Sequence, residues 1–434
     1  MHVHDFVAVG IGPFNLGLAA LTEPLDLDGV FLESSETFRW HPGMMLDDAT
    51  LQVPFLADLV TMADPTSAYS FLNYLKDTGR LYSFYIRESF YPLRREYDDY
   101  CRWAADRLTS LRFGRHVERI EHDGSVYAVH SATGEVFHGR RLVLGVGTSP
   151  VVPEVARAVV EDPDGRALHT ADFLSHREEL RRLRSVTVVG SGQSAAEVYA
   201  DLLDDLTPGQ DLTWVTRSPR FFPMEYTKLT LELTSPEYTA YFQGLPEPTR
   251  EQLLHDQRSL YKGISRDVVD GIFDTLYAKR VAGAVDTTLV TCSELVGARR
   301  EDTTGAASYV LDLHHRESDQ RFALRTDAVV LATGYAAQVP GFLEPVRDRI
   351  RWDDRGRFDA SASYAVDLGG HEIFVQNAEE HTHGFVAPDL GMGAHRNATL
   401  IAAMVGSEVY PVEKQIAFQH FGVPDHLRLL EESR

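Results

Sequence analysis

One pattern constrains this chain more than any other: an apolar strand, a glycine-rich turn and an Ala/Leu-rich helix, occurring twice. The first copy runs from Asp5–Val9 through Gly10-Ile11-Gly12-Pro13-Phe14-Asn15 into Leu16–Leu21. The second runs from Ser185–Val189 through Gly190-Ser191-Gly192-Gln193-Ser194-Ala195 into Ala196–Leu203. Both strands are apolar almost throughout, as expected when helices cover both faces of a parallel sheet. A third such strand, Arg141–Val146, ends in Gly147-Thr148-Ser149-Pro150, and a fourth, Asp327–Leu331, ends in Ala332-Thr333-Gly334-Tyr335. The pattern resumes with a strand near Glu372–Gln376 and a helix near Arg396–Val405. The stretch from about Ser218 to Tyr277 is rich in Thr, Glu, Tyr and Pro and turns helical from about Arg266, which marks an insertion. The expected fold is α/β: two Rossmann-like dinucleotide-binding domains with a smaller, partly helical substrate-binding insertion. The expected boundaries are 1–165 and 325–434 for a discontinuous first dinucleotide-binding domain. They are 166–217 and 285–324 for the second, and 218–284 for the insertion.

A single G-x-G-x-x-G match is weak, but each copy here sits between a strand and a helix. Gly10 and Gly190 permit the tight turn, and Gly12 and Gly192 let the backbone approach a pyrophosphate at the positive helix N-terminus. Ala195 keeps close packing at the third position, whereas Asn15 departs from the common pattern. After the first copy, Gly29–Leu32 ends at Glu33, an acid suited to a free ribose 2′-hydroxyl, as in FAD or NAD. After the second, Leu212–Thr216 ends at Arg217-Ser218, which suits the 2′-phosphate of NADP. The order is FAD first and NADPH second.

Composition removes several classes. A formal net charge of −22 over 434 residues argues against nucleic-acid or anionic-membrane partners, which need basic patches. No run approaches the roughly 18 apolar residues of a membrane span, and Met1 leads straight into Phe6–Val9 with no signal-peptide pattern. Cys101 and Cys292 have no C-x-x-C spacing, so neither a zinc site nor a redox-active pair is expected, and a reducing cytoplasm is the expected location.

The segment after the first fold is more specific. It carries Trp40-His41-Pro42-Gly43-Met44, Leu51-Gln52-Val53-Pro54-Phe55-Leu56, Asp58-Leu59-Val60 and Asp64-Pro65-Thr66-Ser67, then Phe71–Leu75 and Tyr100–Ala104. With Gly190–Glu197, Asp327–Tyr335 and Asn377-Ala378-Glu379-Glu380-His381-Thr382-His383-Gly384, it resembles the lysine and ornithine N-hydroxylases of siderophore pathways along nearly the whole chain. Asn15 also fits that family. The resemblance implies N-hydroxylation of a primary amine with FAD, NADPH and O2, by way of a flavin hydroperoxide shielded by bound NADP⁺. The attacking nitrogen must be a neutral amine, which a desolvated pocket favours.

The resemblance places Gln52 close to the flavin. It puts Trp40 and His41 beside the isoalloxazine, and His381 and His383 on a loop closing over it. Gln52, His41 and Asn377 are the catalytic candidates. Gly10, Gly12, Pro13, Asn15, Glu33, Trp40, His41, Gln52, Gly190, Gly192, Gln193, Ser194, Arg217, Ser218, Thr333, Gly334 and Tyr335 are the cofactor candidates. Met44 and Met45 are read as core. His381, His383 and His395 carry no metal signature, and no metal is expected.

The substrate follows from two departures. Family members acting on amino acids carry a Lys for the substrate carboxylate where this chain has Ala57. The second carboxylate contact, an Asn, aligns with Leu231. Ala57, Leu231, Leu260, Asp389 and Gly391 are the substrate candidates; many relatives have Ser at the position of Gly391. A buried carboxylate without a partner would cost several kcal/mol, so the expected substrate is a diamine, cadaverine before putrescine. The alternatives are L-lysine, with Lys228 or Lys262 taking over the carboxylate, and more remotely a general flavin monooxygenase or a reductive flavoprotein. The remaining expectations are a small-molecule amine and O2 as partners and a homo-oligomeric state, dimer or tetramer.

Overall fold

The computed structural model describes residues 2–283, 285–303 and 306–428. The two recurring units become two parallel sheets. In the first, strands lie in the order Ile373–Val375, Leu142–Leu144, Phe6–Val9, Gly29–Leu32 and Leu111–Arg112. All four pairings are parallel. Phe6–Val9 is buried along its whole length. That is what an apolar strand achieves with helices such as Pro13–Thr22 and Gly393–Val405 on one face and other layers on the other.

The second sheet has the order Ala167–His169, Ala328–Leu331, Ser185–Val189, Asp211–Val215 and Thr287–Val290, again all parallel. Here the expected boundary needs correcting. Ala328–Leu331 sits between Ala167–His169 and Ser185–Val189, so this strand completes the second domain, and the return to the first comes after Leu331 instead of near residue 325. Strand membership depends on a partner more than a hundred residues away, which a local pattern does not encode.

Two further layers, antiparallel except for the parallel pairing of Val3–His4 with Val136–Gly139, had no counterpart in the sequence reading. Val3–His4, Val136–Gly139, Tyr127–Ser131 and Val117–His122 form one, and Ser293–Thr303, Ala306–His315 and Gln320–Thr326 form the other. Where the chain crosses between domains, Tyr335–Ala337 pairs antiparallel with Thr148–Pro150. The insertion consists of helices Lys228–Leu231, Pro236–Gln243, Glu247–Asp256 and Arg266–Ala282. Among the described residues no helix is long and apolar enough to cross a membrane.

Candidate active site

The two fingerprint turns are built alike. Gly10 has φ +90°, and a Cβ there would lie 2.3 Å from the Gly145 carbonyl oxygen, at the end of the neighbouring strand. A Cβ on Gly190 would lie 2.3 Å from the Ala332 oxygen, at the equivalent place in the second sheet. Backbone presses on backbone at both points, so only glycine fits. Gly12 has nothing within 4 Å of an added Cβ: the open side of the turn is a cradle a side chain would fill. Gly12 and Gly192 N-cap helices Pro13–Thr22 and Gln193–Asp204, and neither makes a side-chain cap hydrogen bond. The first-turn N–H groups therefore face the cradle, as anion binding requires.

Asn15 explains its own departure from the pattern. Its side chain is fully buried; Nδ2 donates to the Gly10 oxygen at 2.7 Å, and Oδ1 accepts from Gln376 Nε2 at 2.7 Å. The amide thus ties the turn to the chain beyond Ile373–Val375. Gly145 is small for the same reason, since a Cβ there would meet Asn15 Nδ2 at 2.4 Å. The side-chain oxygen of Gln376 is buried and has no partner among the described residues, and Gln376 lines the cleft. A buried acceptor left open at a cleft is a mark of a ligand position. Glu33 accepts from Ile11 N at 2.8 Å and Ser35 N at 2.9 Å, which places the acid directly beneath the first turn.

Both cradles open into one cleft of about 1300 Å³, larger than a typical single-ligand pocket. Of the expected cofactor residues, Gly12, Pro13, Asn15, Trp40, His41, Gly192, Arg217, Ser218, Thr333, Gly334 and Tyr335 line it, as does Asn377. The cations Arg39, Arg220, Arg258 and Arg357, which were not singled out in the sequence, line it too, as does Lys262, named there only as a partner for a lysine carboxylate. They give an acidic protein a basic cleft, suited to phosphates. Asn377 holds φ +61° and His41 φ +45°, a left-handed conformation that non-glycine residues keep only where their surroundings impose it. The His41 ring meets Trp40 at 5.2 Å and Tyr335 at 5.6 Å. Its exposed surface lines the cleft. Crowding by protein, with Arg94 adding to it, pushes its pKa down to about 4, so the ring is neutral at neutral pH.

Gln52 and Gln193 are absent from the cleft lining. Gln52 Nε2 donates to Ser265 Oγ at 3.1 Å and lies 3.3 Å from Gln193 Oε1, which also accepts from Ser265 N at 2.7 Å. Gln193 Nε2 donates to Glu197 at 2.8 Å, and Glu197 holds Arg94 through two hydrogen bonds of 2.6 and 2.8 Å. A polar chain thus joins the Arg94 helix of the first domain, the second fingerprint helix and the insertion. Arg94 was missed in the sequence, although Glu197 closes the quoted Gly190–Glu197 motif. Ser194 follows Gln193 on that helix, outside the lining.

At the expected substrate end, three candidates converge. A Cβ on Gly391 would lie 3.1 Å from Asp389 Oδ1 and 3.8 Å from Ala57 Cβ. Among the described residues the Asp389 carboxylate accepts one hydrogen bond, from Gly391 N at 2.7 Å, and burial raises its pKa against that bond and the Arg396 charge. The neighbouring Asp58 is spent on the Val60, Thr61 and Phe71 amides. Leu390, between Asp389 and Gly391, lines the cleft. Leu231 is 50% exposed and Leu260 packs on the Tyr238–Phe385 cluster; neither lines the cleft, so the expected substrate contacts divide.

The three histidines serve separate roles. His381 Nε2 meets the Phe358 oxygen at 2.8 Å; His383 stacks on Tyr364 at 4.2 Å and meets Gln243 of the insertion at 2.6 Å. Burial and then Arg396 push His395 down to about 4. Among the described residues these three do not form a metal-type cluster. Beneath them Arg396 pairs with the fully buried Glu379 at 3.2 Å and lies over the Phe14 ring at 4.6 Å. Phe14 in turn lines the cleft.

A fold with two dinucleotide cradles facing one cleft brings two redox cofactors together, and this defines a two-dinucleotide oxidoreductase. The profile of the L-lysine 6-monooxygenase/L-ornithine 5-monooxygenase family matches residues 2–337, and the chain belongs to this family of N-monooxygenases. It is 45% identical over 428 residues to the putrescine N-hydroxylase of Shewanella oneidensis, covering 96% of this chain and 84% of that protein. It is 48% identical to FAD-bound DfoA, the desferrioxamine-pathway cadaverine monooxygenase of Erwinia amylovora, with TM-score 0.94 over 98% of this chain and 99% of that one. It also resembles the ornithine N-hydroxylase KtzI of Kutzneria sp. 744, a structure with reduced FAD, NADP⁺ and L-ornithine. There the identity is 28% and the TM-score 0.85, over 93% of this chain and 99% of that one.

Proposed function

We propose that the chain N-hydroxylates one end of an aliphatic diamine, cadaverine first and putrescine second, for hydroxamate siderophore synthesis. FAD occupies the first cradle and NADPH the second: amine, NADPH, a proton and O2 give hydroxylamine, NADP⁺ and water. The open cradle at Gly12, the acid Glu33 and the unpartnered Gln376 oxygen fit FAD. Exposed Arg217, with Ser218 beside it, fits a 2′-phosphate. Bound FAD supplies the two-electron activation of O2 that no side chain can.

The residues supply position and protonation state. Trp40, neutral His41 and Tyr335 wall the cleft with aromatic surface and exclude water. Gln52, held to Gln193 and Ser265, acts from the seam between the cradles. The reacting amine, ordinarily with pKa ~10.4, must shed its proton, and an enclosed site favours that.

The observation that carries the diamine is the group of Ala57, Gly391 and Asp389. Where the family's Lys would meet a carboxylate there is a methyl group, and beside it a carboxylate with spare acceptor capacity. That exchange of sign suits a second ammonium and repels an amino-acid head. Putrescine and cadaverine enzymes among the similar proteins support the same class. For lysine, Lys262 is the cation at hand, yet it already faces Glu380 at 3.7 Å. The same reading keeps the chain in the reducing cytoplasm, where buried Cys101 and Cys292 stay free of disulfides, and makes it a homo-oligomer.

The test is hydroxylamine formation with cadaverine, putrescine, lysine and ornithine side by side. Cadaverine is expected to give the highest kcat/KM. Asp389→Asn is expected to lower diamine kcat/KM by about 30-fold or more, chiefly through KM. Lysine or ornithine as the best substrate sinks the reading.

A further inference from the structure

Cys292, His315 and Glu317 place a thiol sulfur, a ring nitrogen and a carboxylate oxygen within 4.8 Å of one another. Donors around a tetrahedral zinc ion, at about 2.0–2.3 Å from it, stand about 3.5 Å apart, so small side-chain adjustments close the set. The scaffold is built for such a meeting. Cys292 occupies the turn between Thr287–Val290 and Ser293–Thr303, with φ +54°. That left-handed backbone is held from both sides: Cys292 N donates to the Ser218 oxygen and Arg316 N donates to the Cys292 oxygen, each at 2.8 Å. His315 and Glu317 come from the turn between Ala306–His315 and Gln320–Thr326, which the pairing of Ser293 with His315 brings to the Cys292 end of the sheet. Ser318 Oγ lies 2.8 Å from His315 Nδ1 and holds the ring's orientation, the role outer partners play for metal-bound histidine. Cys292 is only 4% exposed while Glu317 is exposed, so the cluster has a closed soft end and an open hard end.

We propose that Cys292, His315 and Glu317 form a binding site for Zn²⁺, with water as fourth ligand. On binding, the Cys292 Sγ–H bond breaks, its proton leaves to solvent, and the sulfur electron pair goes to the ion. This departs from the expectation of no metal. The spacing concealed the site because its donors come from two turns of a sheet whose hairpins the sequence did not show. The position gives it a consequence. Cys292 N holds the carbonyl of Ser218, and Ser293 N donates to the Thr216 oxygen at 2.9 Å. An ion here stiffens the strand end that carries Arg217 and Ser218 and so acts on NADPH. This coupling rests on NADPH occupying the second cradle; the site itself does not, so the two fail separately.

The probe is Co²⁺ added to the FAD-loaded enzyme. Tetrahedral thiolate ligation gives d–d absorption to the red of the flavin bands, displaced by Zn²⁺. The band is expected in the parent protein, absent in Cys292→Ser, and at least about tenfold weaker in affinity in His315→Gln. The latter variant keeps the test sound if loss of the buried thiol impairs folding. Saturating Zn²⁺ is expected to change the NADPH KM about fivefold or more in the parent and leave it unchanged in Cys292→Ser. No red absorption, or the same band in Cys292→Ser, overturns the site. So does an ion lost only from His4→Ala, because His2, His4 and Asp28 form the other metal-type group among the described residues. A KM indifferent to bound Zn²⁺ overturns the coupling.

Discussion

Replacing Glu197 by Gln keeps the shape of the side chain and removes its charge. In the native protein Glu197 is 6% and Arg94 13% exposed, and two hydrogen bonds of 2.6 and 2.8 Å join them. Unit charges about 4 Å apart at an effective dielectric near 20 attract by about 4 kcal/mol. Breaking a buried pair by neutralising one partner costs about 3–5 kcal/mol, because the other charge stays enclosed. Glu197→Gln is therefore expected to destabilise by about 3–5 kcal/mol. The double variant Arg94→Met/Glu197→Met, which removes both charges, is expected to recover most of that loss. Urea unfolding of the FAD-loaded protein measures it, with Trp214, buried in the second domain's core, reporting the domain that bears Glu197. The single variant should also raise the NADPH KM, since the amide oxygen left at position 197 is a weaker, uncharged acceptor for Gln193 Nε2. A Glu197→Gln variant within about 1 kcal/mol of the parent would show that the pair behaves as a surface contact, and the reasoning would fall. A double variant as unstable as the single one would also refute it.

Three further outcomes are expected. Arg217→Ala should raise the NADPH KM with a smaller effect on NADH; equal use of both cofactors by the parent enzyme refutes the assignment. Gly10→Ala forces a Cβ to 2.3 Å from the Gly145 oxygen at φ +90°, so it should cost about 2 kcal/mol or more and lose flavin. Gly12→Ala, with nothing within 4 Å of the new Cβ, should fold normally yet bind flavin weakly; thermal melts and flavin content distinguish them. Burial holds His395 down at about 4, against 6.5 for an exposed ring, and pushes His383 down as well. The unfolded chain therefore takes up protons that the folded one refuses. Stability should be complete above about pH 6.5 and fall as pH drops toward about 4, by roughly 2 kcal/mol from His395 between about pH 6.5 and 5, with His383 acting in the same direction. Urea midpoints across that range measure it, and His395→Gln should flatten the curve.

The parts legible in the sequence are those written locally. Strands Phe6–Val9 and Ser185–Val189, helix Arg266–Ala282 and the glycines of both turns follow from periodicity and backbone sterics over a few residues. What escaped was written at a distance. Asn15 reads as an odd third glycine until Gln376, 361 positions away, meets it. Arg94 reads as a helix-surface cation until Glu197, 103 positions on, encloses it. Ala328–Leu331 has the apolar character of either sheet, and only its partners assign it to the second. The charged strands Ser293–Thr303 and Gln320–Thr326 alternate too weakly for a hairpin to be read, and with them went Cys292 and His315 as neighbours. The substrate end is a middle case. Ala57 was visible as a missing Lys, but that Asp389 stands beside it through Gly391 is a fact of packing.

The antiparallel pairing of Thr148–Pro150 with Tyr335–Ala337 has a mechanical meaning. A single extended crossing between two domains acts as a swivel, free to twist, bend and swing. Two crossings laced side by side form a flat strap: twisting or shearing it breaks ladder hydrogen bonds, whereas flexing it out of plane does not. Twisting and shearing of the second domain against the first are thereby resisted at the strap, and the Arg94–Glu197 pair ties the two at a separate place. A nucleotide arriving in the second cradle would then meet the first with little twist or shear between the two.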